Sequence, residues 1–431
     1  MPITALNVAE KPSVARELSN ILGQGRARAR PGRTNYNRIF EFECNVMGQQ
    51  VNMILTSVTG HLKELEFAEP YGKKWHACAP LELFDAPVVK YVKEENKKLQ
   101  EQLEAEARKA DWLILWLDCD REGENIAFEV IEVCKRVRPR LRLYRSRFSA
   151  LIPQEINRSV QNLVEPNKAA ADAVDARQEI DLRLGAAFTR FQTLRLQARF
   201  DELQNGVISY GPCQFPTLGF IVERHKHIEN FVREPFWSIK LEYTPTAEDE
   251  DNGDEEGGGG SGRGNRGGNA GSRRLRTSFL WKRERLFDHL ACLVLFEMTV
   301  DDGVAVVTSV DGRRTTRQRL LPLSTVELQK RASRFFRLAS ERTMDVAEKL
   351  YQKGFLSYPR TETDKFSKNF DIQAALNEFR PSATFGGYVA GLLDRGAFQW
   401  PREGRHDDQA HPPIHPTKAA EPGSFGSNEE R

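Results

Sequence analysis

Apolar and polar positions follow distinct registers along this chain, and the register changes several times. Ile3 to Val8 reads as a short strand, followed by Glu10-Lys11-Pro12-Ser13. Val14, Leu18, Ile21 and Leu22 then recur at helical spacing, with Ser13 as the expected N-cap. Trp112 to Leu117 is an unbroken apolar run bounded by charge, as in a buried strand of a parallel sheet. Gly123, Ile126, Val130 and Ile131 after it predict a helix packed on that sheet. With a charged helix over 94–109 between them, two strand–turn–helix units predict one α/β domain. Both turns should lie at the same sheet edge.

From about Leu151 the texture changes. The stretch 161–199 is rich in Ala and Arg, with helical spacing at Val174, Ile180, Leu184 and Phe188. Its polar face reads equally as a salt-bridged helix pair or as a DNA-facing surface. Ser209 to Thr217 is punctuated by Gly and Pro and reads as a turn, and Leu218 to Ile228 as a helix. Strands are expected over 236–243, 279–285, 304–310 and 318–323, together a β-rich domain. Helices are expected over 325–339 and 343–353, the second ended by Gly354. No internal repeat is evident.

A length of 431 residues is too great for one core and predicts two to four domains. The net charge of only +2 excludes a simple basic DNA-coating protein. It leaves room for a nucleic-acid enzyme whose cations are gathered in a groove while acidic residues elsewhere cancel them. Glu248 to Glu256 is such an acidic segment, and it runs into a Gly-rich stretch to Gly271 that reads as a flexible insertion. The six cysteines are scattered without C-x-x-C spacing, which predicts free thiols in a reducing compartment. No signal peptide, membrane-spanning stretch or P-loop signature is present, so neither a membrane partner nor ATP hydrolysis is expected.

The chemistry concentrates at Asp118, Asp120 and Glu122, at alternate positions after the apolar run. In an extended segment these carboxylates share one side and repel one another unless a hard cation lies between them. Mg²⁺ acting on phosphate is the expected use. A calcium loop also fits part of the spacing, but the flank before it is β-like where an EF-hand needs a helix. A solvated acidic turn is the bland alternative. Far downstream, Tyr358-Pro359-Arg360 follows the Gly-ended helix, with Pro359 holding Tyr358 extended. A phenol is a weak nucleophile unless a cation assists it, and Arg360 and Lys353 supply nearby charge. Alone, a Tyr-Pro in a loop is usually structural.

The combination is more specific than its parts. Ala9-Glu-Lys-Pro-Ser13, Asp118-Cys-Asp-Arg-Glu-Gly-Glu124, Ser209-Tyr-Gly-Pro-Cys-Gln-Phe-Pro-Thr217, Ser357-Tyr-Pro-Arg-Thr361 and Ala410-His-Pro-Pro-Ile-His-Pro-Thr417 occur in that order. Together they resemble the type IA DNA topoisomerases, and within them the eukaryotic topoisomerase III group. The resemblance implies a multidomain α/β plus α plus β chain: a Toprim (Rossmann-like) domain, then the topoisomerase core. The implied segments are a Toprim domain over 1–155 and the first part of a helical DNA-binding domain over 156–217. A β-rich arch segment over 218–324 follows, with a disordered insertion at about 246–273, then a tyrosine-bearing helical domain over 325–431.

The resemblance further implies that Tyr358 attacks a DNA phosphate and stays linked to the 5′ side of the break. Arg360 and Lys11 would hold that phosphate. Glu10 would exchange a proton with the leaving 3′-oxygen or share the metal. Asp118, Asp120 and Glu122 would hold Mg²⁺ for religation, and His411 would assist DNA engagement. His415 fits function and turn packing about equally. Ser209 and Gln214 match a single-strand-contacting turn, with Arg177 and Arg190 as weaker phosphate contacts. Single-stranded DNA, a RecQ-type helicase and an OB-fold accessory protein are the implied partners, and the nucleus, with mitochondria as an alternative, the implied location.

The family's ring of four domains uses returning segments that would follow His415, so an open ring with weak or absent relaxation is expected of this chain. Two other readings stay open: a metal-only Toprim nuclease or primase-like enzyme, and a scaffold that only binds single-stranded DNA.

Overall fold

A computed structural model describes residues 3–72, 74–244, 276–420 and 423–427. The expected insertion at about 246–273 lies outside the described residues. The described residues form two compact units, one from Met1–Phe215 with Arg317–Arg431, the other from Pro216–Thr316.

In the first unit, strand β1 (Ile3–Ala9) leads into helix α1 (Pro12–Leu22). Strands β2 (Arg28–Arg30), β3 (Ile39–Val46) and β4 (Gln49–Ser57) follow, and β5 (Lys63–Phe67) pairs with β6 (Val88–Val92) as a separate ribbon. Helix α2 (Lys97–Ala107), strand β7 (Trp112–Trp116), helix α3 (Arg121–Val137), strand β8 (Arg142–Arg145) and helix α4 (Pro153–Gln161) come next. The sheet order is β2-β3-β4-β1-β7-β8. β1 runs parallel to both β4 and β7, and β7 parallel to β8.

The unbroken apolar run of β7 is explained by its central place. Trp112, Ile114 and Trp116 enter one core with Val14, Leu18 and Ile156 of the helices on that face. Leu113, Leu115 and Leu117 enter the other with Leu99, Leu103, Ile126 and Val130. A strand covered on both faces needs apolar side chains at odd and even positions alike. Because β1 and β7 are parallel neighbours, Glu10 and Asp118 emerge side by side at their carboxyl ends.

Ser13 is not the N-cap of α1. Lys11 takes that place, Pro12 opens the helix, and the Ser13 hydroxyl donates to Gln352 at 3.1 Å. Pro12 suits the first helical position because the N–H it lacks would have no partner there.

Helix α5 (Lys168–Gln197) is capped by Asn167, whose side chain accepts from the Ala170 N–H. Helix α6 (Gln214–Glu229) begins four residues before the expected start at Leu218, so the Gly/Pro-rich turn ends at Cys213. In the second unit β9 (Lys240–Tyr243) pairs antiparallel with β10 (Thr277–Leu280). The chain turns after Trp281 through Glu284, whose φ is 61°, so the strand expected over 279–285 is cut short. Helix α7 (His289–Asp302), capped by Asp288 and followed by Gly303 at φ 61°, was not foreseen. Residues 304–310 and 318–322, expected as strands, have no regular structure. β-branched residues favour a strand only where another edge completes the hydrogen-bond ladder, and no described segment pairs with these.

The first unit resumes with α8 (Thr325–Phe336), α9 (Ser340–Gln352), α10 (Ile372–Asn377) and α11 (Gly386–Asp394). Gly354 follows α9 at φ 68°, where a Cβ would lie 2.8 Å from the Leu151 carbonyl oxygen. Only glycine takes that turn without strain, and the turn brings the next residues onto the loop after β8. Among the described residues no helix is long and apolar enough to cross a membrane.

Candidate active site

Two polar clusters meet above the carboxyl ends of β1 and β7. In the acidic one, Glu10 Oε2 accepts from the Asp118 N–H at 3.1 Å, tying the two strand ends together. Arg145, fully buried at the end of β8, donates to the Asp118 carbonyl at 2.6 Å and to Glu124 at 3.0 Å. Asp120 is the N-cap of α3, and its Oδ1 accepts from the Gly123 N–H at 2.7 Å. A Cβ on Gly123 would lie 2.0 Å from the Asp118 carbonyl oxygen, so the helix can start this close to the strand only with glycine there.

Glu122 departs from the extended-segment expectation. The chain turns helical at Arg121, and side chains two apart on a helix point to different faces. Glu122 turns instead to Arg177 at 2.6 Å and His61 at 3.2 Å. His61 is in turn held by Glu129 at 3.4 Å, and Glu129 also accepts from the Leu62 N–H at 2.8 Å. The calcium-loop alternative falls with the same observation, since a buried parallel strand precedes the carboxylates.

Helix α9 and the loop after it supply the other cluster. The Tyr358 N–H donates to the Ser149 carbonyl at 2.8 Å, and its hydroxyl donates to Asp120 Oδ2 at 2.5 Å. Tyr351, one helical turn before Gly354, donates to Asp118 Oδ1 at 3.0 Å, and its ring meets that of Tyr358 edge-on at 5.3 Å. His411 stacks on Tyr358 with ring centroids 4.3 Å apart. One His411 ring nitrogen, Nδ1, lies 3.0 Å from the Ser149 hydroxyl, while Nε2 is buried with no hydrogen-bond partner. Asp408 fixes the backbone here, accepting from the His411 and Ala410 N–H groups and from the Thr361 hydroxyl.

Burial in company with like charge sets the electrostatics. Asp118 is pushed up to about 8 by burial and by the Glu10 carboxylate, against the pull of Lys11. Burial, then Asp120 and Asp118, hold the Tyr358 phenol far above its ordinary value, so it stays neutral. Burial pushes His411 down to about 4 and keeps it neutral as well. Burial would lower Lys11, but Glu10, Glu348 and Asp118 outweigh it and the net shift is upward. Lys11 Nζ lies 3.2 Å from Glu348 Oε2, and Arg360 Nε lies 2.8 Å from Glu348 Oε1. A cavity of about 580 Å³ opens beside the tyrosine, lined by Asp120, Arg121, Arg147, Arg360 and His411 among others.

The structure therefore brings together Glu10, Lys11, Asp118, Asp120, Tyr358, Arg360 and His411. Others lie apart. Arg190 is buried, donating to the Tyr71 and Gly72 carbonyls at 2.6 and 2.7 Å; this corrects its reading as a DNA contact, since a guanidinium spent on carbonyls has no exposed face for phosphate. Arg177 is exposed but paired with Glu122. Ser209 and Gln214 are exposed on either side of Tyr210, which stacks between Phe188 and Phe215 at 4.7 Å each. His415 packs against Phe366 and Phe370, and its Nδ1 meets the Pro413 carbonyl at 2.7 Å, a structural placement. Sequence reasoning missed Glu348, Arg145, Asp408 and Tyr351, whose hydroxyl reaches Asp118 only once the distant segments pack together.

Among the described residues no group of three or more His, Cys, Asp or Glu side chains is arranged to hold a metal ion. The oxygen donors of Asp118, Asp120 and Glu10 nonetheless suit Mg²⁺ in kind, since that ion uses one or two carboxylates and fills its shell with water and phosphate oxygens. Burial first, and the neighbouring Glu10 carboxylate second, raise Asp118, and a cation held there would offset both.

Comparisons with known proteins agree along the whole chain. A DNA topoisomerase family model matches residues 165–431, and a Toprim domain model matches residues 5–151. DNA topoisomerase 3-alpha of Arabidopsis thaliana is 51% identical over 97% of this chain and 43% of its own length. The human DNA topoisomerase 3-alpha is 45% identical over 96% of this chain and 38% of its own length. DNA topoisomerase 3 of Saccharomyces cerevisiae is 38% identical over 99% of this chain and 67% of its own. The chain thus spans less than half the length of the Arabidopsis and human relatives. Topoisomerase I of Thermotoga maritima shares the fold at a TM-score of 0.57 and 21% identity, over 96% of this chain and 55% of that one. Toprim domain, tyrosine-bearing core and level of identity together make this chain a member of the type IA DNA topoisomerase family.

Proposed function

We propose that this chain cuts one strand of single-stranded DNA through a transient 5′-phosphotyrosine link and rejoins it without ATP. The observation that carries the reading is the hydrogen bond from the Tyr358 hydroxyl to the Asp120 carboxylate, with Arg360 and Lys11 close by. The Tyr358 oxygen attacks phosphorus and gives its proton to Asp120. As the new P–O bond forms, the bond to the 3′-oxygen breaks, and that oxygen takes up a proton from water, relayed through Glu10. Arg360 and Lys11 stabilise the charge gathering on the phosphate oxygens. Neutral His411, packed on the tyrosine ring, keeps it oriented. Religation is the reverse, and the tyrosyl ester conserves the energy of the broken bond.

Mg²⁺, held by Asp118 and Asp120 with Glu10 adjacent, would offset their mutual repulsion and hold phosphate oxygens for rejoining. Glu122 would have to leave Arg177 and His61 to join them. Relaxation of negatively supercoiled DNA, processing of recombination intermediates, a nuclear setting and helicase or OB-fold partners belong to the same reading.

The test uses single-stranded DNA labelled on the segment that keeps the 5′-phosphate. An SDS-stable adduct lost in Tyr358→Phe is the expected result. DNA binding without any adduct would leave a binding scaffold, and cleavage that survives Tyr358→Phe would leave a metal-only nuclease.

A further inference from the structure

Glu348 stands where neither motif nor mechanism assigns a residue. It lies on α9, ten residues before Tyr358, with its side chain only 17% exposed. One carboxylate oxygen takes Lys11 at 3.2 Å and the other takes Arg360 at 2.8 Å. Lys11 comes from the end of β1 and Arg360 from the tyrosine loop, so a single side chain joins cations from two distant segments. Its two oxygens meet the two cations as two non-bridging oxygens of a phosphate would.

We propose that Glu348 is a positioning residue that holds the place of the scissile phosphate in the DNA-free site. The inference rests on the proposed cleavage reading, in which Lys11 and Arg360 take that phosphate. In the absence of DNA, two cations this close repel each other, and the shared carboxylate keeps both near the tyrosine. An arriving phosphate displaces the carboxylate and inherits a preassembled pair. DNA binding is then an exchange of one anion for another, which weakens affinity but lets the strand leave after rejoining. No other acidic side chain is ion-paired with both residues among the described ones, for Glu10 reaches Lys11 alone, at 3.7 Å.

The test measures equilibrium binding of an unlabelled-end single-stranded oligonucleotide at low salt, in a Tyr358→Phe background so that no covalent step contributes. Glu348→Gln keeps the shape and removes the charge. It should tighten binding roughly five- to tenfold, the scale of two partly exposed ion pairs released to phosphate. The gain should disappear when Lys11→Ala and Arg360→Ala are added, and should shrink as salt rises. A purely structural Glu348 would give weaker or unchanged binding in Glu348→Gln, with a lower melting temperature, and either result overturns the proposal. Glu348→Asp, too short to reach both cations, should tighten binding less than Gln. If Lys11→Ala and Arg360→Ala leave the parent's binding unchanged, the cleavage reading of these cations fails. If they weaken it while Glu348→Gln does nothing, only the place-holder fails.

Discussion

At the scale of single residues, the site is governed by what burial does to charge. Tyr358 and Asp118 are almost wholly enclosed, and each is driven toward its neutral form by burial and neighbouring carboxylates. In the proposed cleavage, a tyrosine held neutral in this way gives up its proton to Asp120 as the phosphate is attacked. Asp408 shows the opposite balance. Burial would raise it, but the His411 and Ala410 N–H groups and the Thr361 and Thr363 hydroxyls outweigh that and hold it low. A carboxylate lowered in the folded state contributes stability above its unfolded value near 3.9, and that contribution is lost as pH falls through the folded value. Asp408→Asn should therefore flatten the acid limb of the stability curve below about pH 4, followed by thermal melting across pH. An unchanged slope would mean that Asp408 is not held by this network. The partners of Asp408 lie dozens of residues upstream or in its own tight turn, so no spacing rule could have revealed them.

At the scale of elements, the start of α3 decides the chemistry. Asp120 uses one oxygen to cap the helix and the other to receive the tyrosine hydroxyl. These two duties separate by substitution. Asp120→Asn retains a capping oxygen and should keep stability within a few tenths of a kcal/mol, whereas Asp120→Ala should lose about 1 kcal/mol. Adduct formation should fall sharply in both, because neither side chain accepts the tyrosine proton. Equal melting temperatures for Asn and Ala would show that the cap is unimportant. Strand β7, α3 and α9 were readable because their apolar positions repeat with a clear period or form an unbroken buried run. Helix α7 was not, since the stretch from Leu290 to Met298 is apolar on nearly every side and leaves no face to detect. The expected strand over 304–310 failed for the reverse reason: propensity was present, and no described segment offers it a pairing edge.

At the scale of the molecule, the two compact units differ in how their backbone is protected. The six-stranded sheet of the first is covered on both faces by buried side chains. Among the described residues the β9–β10 ribbon of the second has only its own two strands, and most of its side chains are exposed. Isolated two-stranded ribbons are marginal, so hydrogen exchange should find the amides of β9 and β10 among the fastest and those of β1 and β7 among the slowest. Comparable protection in both would mean that the ribbon is stabilised by more than its own ladder.

By itself the sequence determined the two parallel strands β1 and β7 of the Toprim sheet, the acidic residues at their carboxyl ends, the Gly-ended helix before Tyr358 and the family to which the chain belongs. Those features are written in local spacing: a period of two or 3.6, a glycine where a Cβ would strike a carbonyl, a motif of adjacent residues. Only the tertiary structure decided that Glu122 faces His61 and Arg177, that Arg190 is spent on carbonyls, that Tyr351 holds Asp118, and that Glu348 joins Lys11 to Arg360. Each of these depends on which long polar side chain finds a partner when segments separated by up to hundreds of residues pack together. That choice is made by charge and burial in three dimensions, which spacing along the chain does not encode.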